Sequence, residues 1–413
     1  MAGSKSYEID RAVVAEAFRR VKANGGAPGV DDESIEEFER KLDDNLYKIW
    51  NRMSSGSYRP PPVRLCEIPK DDGRKRTLGI PTVADRVAQM VVKLYLEPHV
   101  EPRFHADSYG YRPGKSAQEA IGVARQRCWH YDWVIDLDIK SFFDTIDHSL
   151  MMRAVQRHTQ EKWVLLYIER WLKVPAVNAK GEIVERTQGT PQGGVISPLL
   201  ANLFLHYAFD EWMSRNFSTL PFERYADDII VHGRSEKQAR YVLECIRKRL
   251  STCGLTLHPE KTRIVYCKDG QRPDKHEHTS FDFLGYTFRQ RLCRNRNGQF
   301  FVGFTPAVSK KASKAMSWAI RSWKLKSCAH LSMSEVAQRI NPIVRGWMNY
   351  YGVYCRSAMH SILRQVELAI AYWANRKFKY LHRRLVAATR WLSGIRRREP
   401  ALFAHWLWTR TNG

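Results

Sequence analysis

The sequence predicts an α+β fold with a basic helical appendage. Two observations carry that expectation. Segments with a helical apolar period flank a middle stretch in which strand-like and helix-like patterns alternate. Charge is also uneven along the chain. Lys and Arg number 67 against 43 Asp and Glu, a net +24, and the stretch from Val308 to Gly413 holds 20 Lys and Arg against 3 Asp and Glu. Trp and Tyr are interleaved with those bases, a composition suited to phosphates and stacked rings. A solvated basic surface without a partner is the alternative, at a cost in self-repulsion.

The elements follow in order. EIDRAVVAEAFRRVKA (8–23) has the pattern of an amphipathic helix, NGGAPGV breaks it, and DDESIEEFERKLDDNLYKIWNRM resumes the helical period. SGSYRPPP closes an N-terminal unit, 1–60. VRLCEIPK and RKRTLGIP are predicted strands of a hairpin turning at DDG. TVADRVAQMVVKLYLEPHV is a helix, SYGYRPGKSAQEAIGVARQRC a Gly/Pro loop and a helix, and WVIDLDIKSFF a strand. HSLMMRAVQRHTQEKWVLLYIERWL is helical, GEIVERTQGTPQGGV a loop, and SPLLANLFLHYAFDEWMSRNF one long helix. A helix over SEKQARYVLECIRKRLSTCG ends at the cap candidate Gly254, and HTSFDFLGYTFRQRL is a strand pair. Beyond 308 the pattern is helical, with Val336, Ile340, Ile343, Trp347 and Tyr351 on one face around a kink at Pro342.

No apolar run is long enough for a membrane span, and the N-terminus lacks the apolar core of a signal peptide. Eight scattered cysteines form no C-x-x-C pair, so zinc ribbons and thioredoxin chemistry are not expected, and a reducing cytoplasm suits them.

FERYADDIIV (222–231) sets Asp227 and Asp228 side by side in an apolar run. Adjacent buried anions are costly unless paired or metal-bound, so the tip of a strand hairpin fits them best. In VIDLDIKSFFDTID, strand alternation puts Asp136 and Asp138 on one face, while Asp144 and Asp147 fall at a helix start, where acids often serve only as caps. Clustered carboxylates of this kind suit Mg²⁺, with Mn²⁺ a possible substitute, and two such ions support phosphoryl transfer. On the residues alone, solvated loop acids explain the pattern equally well.

The stretches NGGAPGVDDESIEEF, IPKDDGRKRTLGIPTVADRV, SYGYRPGKSAQEAI, DLDIKSFFDTIDH, QGTPQGGVISPLLANLFLH, RYADDIIV, GLTLHPEKT, FDFLGYTF and IVRGWMNYYG occur in this order. Together they resemble the group II intron reverse transcriptases, the maturase family, over nearly the whole chain. The resemblance implies a right-hand polymerase fold: fingers and palm over 61–307 with an antiparallel palm sheet, a helical thumb over 308–390, and a short basic tail, 391–413. Many members carry a His-Asn-His nuclease with paired cysteines, which this sequence does not suggest.

The resemblance also implies roles. Asp138, Asp227 and Asp228 would be the catalytic carboxylates, joined by the Ile139 carbonyl in holding two Mg²⁺ ions. Arg64, Lys70 and Arg76 would contact the incoming nucleotide, Phe143 would exclude a ribose 2′-OH, Gln192 would supply an amide, and Lys261 would protonate pyrophosphate. Template and primer would meet Gly25, Gly26, Gly29, Gly193, Gly194, Phe283, Leu284, Gly285, Arg345 and Asn349, with Tyr350 and Tyr351 as further contacts. The partners implied are an RNA template, a DNA primer, RNA–DNA hybrid and DNA duplexes, dNTPs and group II intron RNA. Two alternatives remain at this point: a free-standing relative acting in host DNA repair, and an RNA-binding splicing factor with a vestigial polymerase site.

Overall fold

A computed structural model describes residues 5–69, 75–295 and 297–408. The chain divides into two compact units, Met1–Ala120 with Ile135–Ile264, and Ile121–Val134 with Val265–Gly413.

The first unit opens with α1 (Arg11–Asn24), started by the Asp10 carboxylate accepting from Ala12 N and burying Val14, Ala17, Phe18 and Val21 at helical spacing. The next predicted helix is two: α2 (Ile35–Glu39), with a Ser34–Glu37 capping box, and α3 (Leu42–Ser54). Lys41 leaves helical geometry between them, and the Phe38 carbonyl at the break accepts from Lys41 N and Asn45 Nδ2. β1 (Val63–Pro69) and β2 (Lys75–Ile80) form the expected antiparallel hairpin, in register from Arg64↔Ile80 to Pro69↔Lys75. Lys70 and the DDG turn lie outside the described residues.

α4 (Val83–Val100) starts at the Thr82 cap and buries most of its length. After α5 (Ala117–Arg127), the predicted strand ends early: β3 covers Trp133–Leu137, and Phe142–Thr145 form the helical turn α6. Asp138 thus lies one residue beyond the strand rather than within it. The reason is a segment distant in sequence. Lys140 N donates to Thr256 O, Ile139 bridges to Leu257, and Ser141 takes a left-handed φ of 50° that turns the chain away.

α7 (His148–Gln156) starts on Asp147, whose carboxylate accepts from Leu150 N; that bond holds its pKa below the ordinary value. Next come α8 (Lys162–Leu172) and the short strands β4 (Ala176–Val177) and β5 (Ile183–Val184). The long helix predicted from Ser197 is α9 (Ser197–Leu205) and α10 (Glu211–Asn216), joined by a π-helical turn, His206–Asp210. β6 (Phe222–Tyr225), β7 (Asp228–Gly233), α11 (Glu236–Thr252) and β8 (Arg263–Tyr266) follow. Two four-stranded sheets result, ordered β2-β1-β4-β5 and β6-β7-β3-β8.

One buried network supports the loops of this unit. Asp85 is fully buried and accepts from Tyr58 Oη (2.9 Å), Trp171 Nε1 (2.8 Å) and Gln89 Nε2 (2.9 Å). Gln89 Oε1 in turn accepts from Ile196 N, at the start of α9. Burial pushes the Asp85 carboxyl up to about 6, against these hydrogen bonds, which pull it down. The neutral acid is therefore the better-tolerated form. Its stabilisation is full below the unfolded value of 3.8 and is lost as pH rises through about 6. Urea unfolding of the native chain should show up to about 3 kcal/mol of extra stability at pH 4 relative to pH 8 from this group. Asp85→Asn should flatten that difference, and an unchanged pH dependence in the variant would remove Asp85 as its source.

The second unit contains β9 (Ser280–Phe283), β10 (Tyr286–Arg294) and β11 (Phe300–Val308), ordered β11-β10-β9. β11 was not anticipated, because Phe300 and Phe301 at its start are exposed and give no alternating signal. Then come α12 (Lys310–Ser322), α13 (Met333–Tyr351), α14 (His360–Lys377), α15 (Leu385–Arg398) and α16 (Ala404–Trp408). Pro342 does not interrupt α13. Its buried stripe is Val336, Ala337, Ile340 and Val344, and Ile343 is 41% exposed, not on the core face. Trp373, Leu392, Phe403 and Trp406 complete this core. Asn341 donates to Leu402 O and accepts from Ala404 N, which docks the segment before α16.

Candidate active site

Asp138 is held from three sides by the segment after α11. His258 N donates to its carbonyl (2.7 Å), Thr262 Oγ1 receives its backbone N–H (3.3 Å), and Lys261 Nζ donates to Oδ2 (3.1 Å). Three of the residues that the sequence singled out, Asp138, Ile139 and Lys261, are thereby brought together. The strand carrying Asp228, β7, neighbours β3 in the sheet.

The Asp pair sits as expected at a hairpin. Tyr225 pairs with Asp228, leaving Ala226 and Asp227 as a two-residue loop. Ala226 has φ 57°, a conformation that costs a non-glycine residue about 1–2 kcal/mol. A fully buried arginine secures it. Arg224 binds Asp210 through Nε (2.7 Å) and Nη2 (2.6 Å), and its Nη1 reaches Asn202 Oδ1 (2.9 Å) and the Ala226 carbonyl (3.3 Å). The 107–110 segment runs beside it, with Arg224 N donating to Asp107 O and Tyr109 N to Arg224 O. A Cβ on Gly110 would stand 2.5 Å from Ala226 N, so only glycine lets this segment support the loop.

Sequence reasoning missed Arg224, Asp210, Asn202 and Gly110. The signal was present for one: Arg224, with Glu223, is charged within the same apolar strand pattern that drew attention to the aspartates.

Phe143 is buried in α6, packed edge-on against Phe142 at 5.3 Å, and its carbonyl accepts from Thr190 N. That bond ties it to the loop carrying Gln192, Gly193 and Gly194. The Gln192 carbonyl accepts from Gly79 N (2.8 Å), and a Cβ on Gly193 would stand 2.7 Å from Gly79 O, so the loop lies against the end of β2. Arg76 pairs through its backbone with Ile68; its side chain, like Lys70, lies outside the described residues.

The glycine loop is anchored by two arginines. Arg86, buried, donates to Gly25 O (3.1 Å) and Ala27 O (2.9 Å). Arg64 binds Pro28 O and the Asp32 carboxylate. Its guanidinium is thus engaged in holding residues 28–32. Gly29 lies against the α4 cap, where a Cβ would stand 2.6 Å from Thr82 N.

In the second unit, Leu284 and Gly285 form the two-residue turn between β9 and β10, with φ 50° and 81°. Tyr350 Oη donates to Leu284 O (2.9 Å), and Ser309 N to Gly285 O (3.0 Å). Phe283 is buried. Tyr350 and Tyr351 are packing residues of this turn, whereas Arg345 and Asn349 are exposed on α13, four residues apart and on one face.

Three carboxylates and the Ile139 carbonyl are hard oxygen donors, a chemistry that fits Mg²⁺ or Mn²⁺. The Lys261 ammonium on Asp138 shows that the site already accommodates positive charge. Among the described residues, however, no three His, Cys, Asp or Glu side chains converge as a preformed ligand set.

Comparison with known proteins decides the family. A model described as "Reverse transcriptase (RNA-dependent DNA polymerase)" matches residues 68–288, and one described as "Group II intron, maturase-specific domain" matches 313–391. The chain belongs to the group II intron reverse transcriptases. This reverse transcriptase is 31% identical to "Protein YkfC" of Escherichia coli (strain K12), over 76% of this chain and 89% of that protein. It is 33% identical to "Group II intron-encoded protein LtrA" of Lactococcus lactis subsp. cremoris, over 46% of this chain and 32% of that protein. Against "Putative COX1/OXI3 intron 1 protein" of Saccharomyces cerevisiae it is 25% identical, over 68% of this chain and 40% of the relative. Family membership makes the chain an RNA-directed DNA polymerase with a polymerase-like, mixed α/β fold. Among the described residues, no helix is long and apolar enough to cross a membrane.

Proposed function

We propose that this reverse transcriptase copies RNA, and DNA, into DNA by two-metal nucleotidyl transfer at Asp138, Asp227 and Asp228. The observation that carries the proposal is the pairing of two anchored acidic elements on neighbouring strands: Asp138 fixed at the end of β3, and the Ala226–Asp227 loop locked by Arg224. The Asp carboxylates and the Ile139 carbonyl would hold the ions. Bound divalent ions would activate the primer 3′-OH and neutralise the phosphates. The 3′-OH gives its proton to water as its oxygen bonds to the α-phosphorus, the bond to pyrophosphate breaks, and Lys261 gives a proton to that leaving group. Lys70 and Arg76 would grip the triphosphate, Gln192 with Gly193 and Gly194 would position the nucleotide and template, and Gly25, Gly26 and Gly29 would cover the template.

In this reading 61–307 are fingers and palm and 308–390 the thumb, which holds an RNA–DNA hybrid by its A-form shape through residues such as Arg345 and Asn349. The Phe283–Gly285 turn supports the primer. The match to a maturase-specific domain supports a further role in binding group II intron RNA and aiding its splicing. The test is extension of a DNA primer on an RNA template with dNTPs and Mg²⁺; a well-folded chain that adds no nucleotide would overturn the proposal. Phe143 supplies a finer test. Phe143→Val should raise incorporation of ribonucleotides relative to deoxyribonucleotides by about tenfold or more, since about 1.4 kcal/mol of steric discrimination is a factor of ten. An unchanged ratio in single-nucleotide extension would leave Phe143 as a core residue only.

A further inference from the structure

The first unit also contains a groove that the polymerase reading does not use. Two cavities of about 650 and 580 Å³ share Arg157, Tyr207 and Glu211 in their walls, so they adjoin as a trough walled by α7, the π-helical turn and α10. Arg153 lines one end and Arg103 the other. Arg103, Arg153 and Arg157 are exposed, and none makes an ion pair with a described residue. Uncompensated guanidinium groups lining a cavity are a phosphate-binding arrangement.

The wall between them is specially built. The π-helical turn widens the helix at His206–Asp210, a feature often found at functional positions. Arg249 donates to the carbonyls of Tyr207 (2.8 Å) and Ala208 (3.0 Å), securing the turn from behind. Tyr207 receives Arg157 over its ring at 5.1 Å, and its hydroxyl meets His158 Nε2 at 2.8 Å. His206 lines the trough and is 4% exposed; its buried Nδ1 faces the Asp210 carboxylate at 3.9 Å. Trp212, half-buried, adds a second ring at the other end.

We infer that this trough holds a single strand of RNA, with its phosphates on Arg103, Arg153 and Arg157 and its bases against Tyr207 and Trp212. Two adjoining cavities with arginines at both ends favour a polymer over a small anion, and rings interleaved with arginines are the mark of single-strand binding. A single Glu211 carboxylate among these arginines leaves the potential positive. The lowered pKa of His158, set first by burial and then by Arg103 and Arg157, reports the same field.

The experiment uses the full chain preloaded with primer–template, so that the polymerase site is filled, and a labelled unstructured RNA about 20 nucleotides long as the probe. Replacing Arg103, Arg153 and Arg157 together by Gln should weaken probe binding at least tenfold. It should lower the log–log salt slope by about two, at about 0.7 per single-strand phosphate contact. Primer extension should be unchanged, which separates this inference from the polymerase assignment. A probe carrying 4-thiouridine should crosslink to the peptide spanning Tyr207 and Trp212. Arg19→Gln, Arg20→Gln and Arg240→Gln together, exposed on α1 and α11, control for net charge. Equal weakening by that control, or unchanged affinity and slope in the triple variant, would overturn the inference. Preference for single-stranded DNA of the same length over RNA would overturn its assignment to RNA.

Discussion

Asp227→Ala is expected to reduce Mg²⁺-dependent primer extension by at least about 10³-fold, a barrier increase of about 4 kcal/mol. Asp227 is the second residue of a two-residue loop whose partner, Ala226, is forced to positive φ. The truncation leaves the anchor of that loop in place, because Arg224 grips the Ala226 carbonyl. Primer–template affinity should therefore persist while extension is lost. Binding and single-turnover extension, measured on the same preparation, give the comparison. A variant that extends at close to the native rate would remove Asp227 from the catalytic set.

The second large effect is on stability. Arg224→Met leaves Asp210, also fully buried, without its partner. Breaking a buried pair from one side costs about 3–5 kcal/mol, since the remaining charge is uncompensated. Here the loss reaches further, because the same guanidinium satisfies Asn202 and the Ala226 carbonyl. Urea unfolding should show a loss of that size, with primer extension falling as the hairpin loses its anchor. Replacing both partners, Arg224→Met with Asp210→Leu, should recover much of the stability, because no charge is left stranded. The recovery should not extend to activity if the Ala226 carbonyl must be held for the loop to keep its form. A double variant no more stable than Arg224→Met would mean that packing, not charge, dominates the site.

Local rules made part of this molecule legible. Adjacent aspartates in an apolar run with no turn-forming neighbour fit the tip of a hairpin, and the Tyr225↔Asp228 register places them there. The DDG hairpin, the glycine at φ 75° after α11 and the Asp147 cap follow from turn and capping preferences that act over a few residues. Other features depend on partners distant in sequence. β3 stops at Leu137 because the 256–262 segment captures Asp138, Ile139 and Lys140, and nothing in DLDIKSFF announces that partner. Arg64, expected at the nucleotide, is engaged by Pro28 and Asp32 through a loop that folds back across more than thirty residues. The stripe on α13 turned from Ile343 to Val344 because the core on which it packs is built by α14, α15 and α16.

By itself the sequence determined the order of most elements, the acidic hairpin, the uneven basic charge and, through its motifs, the family. Those are properties of composition, period and short-range turn chemistry. Only the tertiary structure decided which charges are spent inside the protein: Arg224 on Asp210 and Arg86 on the glycine loop, while Arg103, Arg153 and Arg157 make no ion pair with a described residue. A charged side chain reads the same in sequence wherever it stands. Its role is set by what lies within about 3 Å of its polar atoms and by how much water reaches it, and both depend on long-range packing.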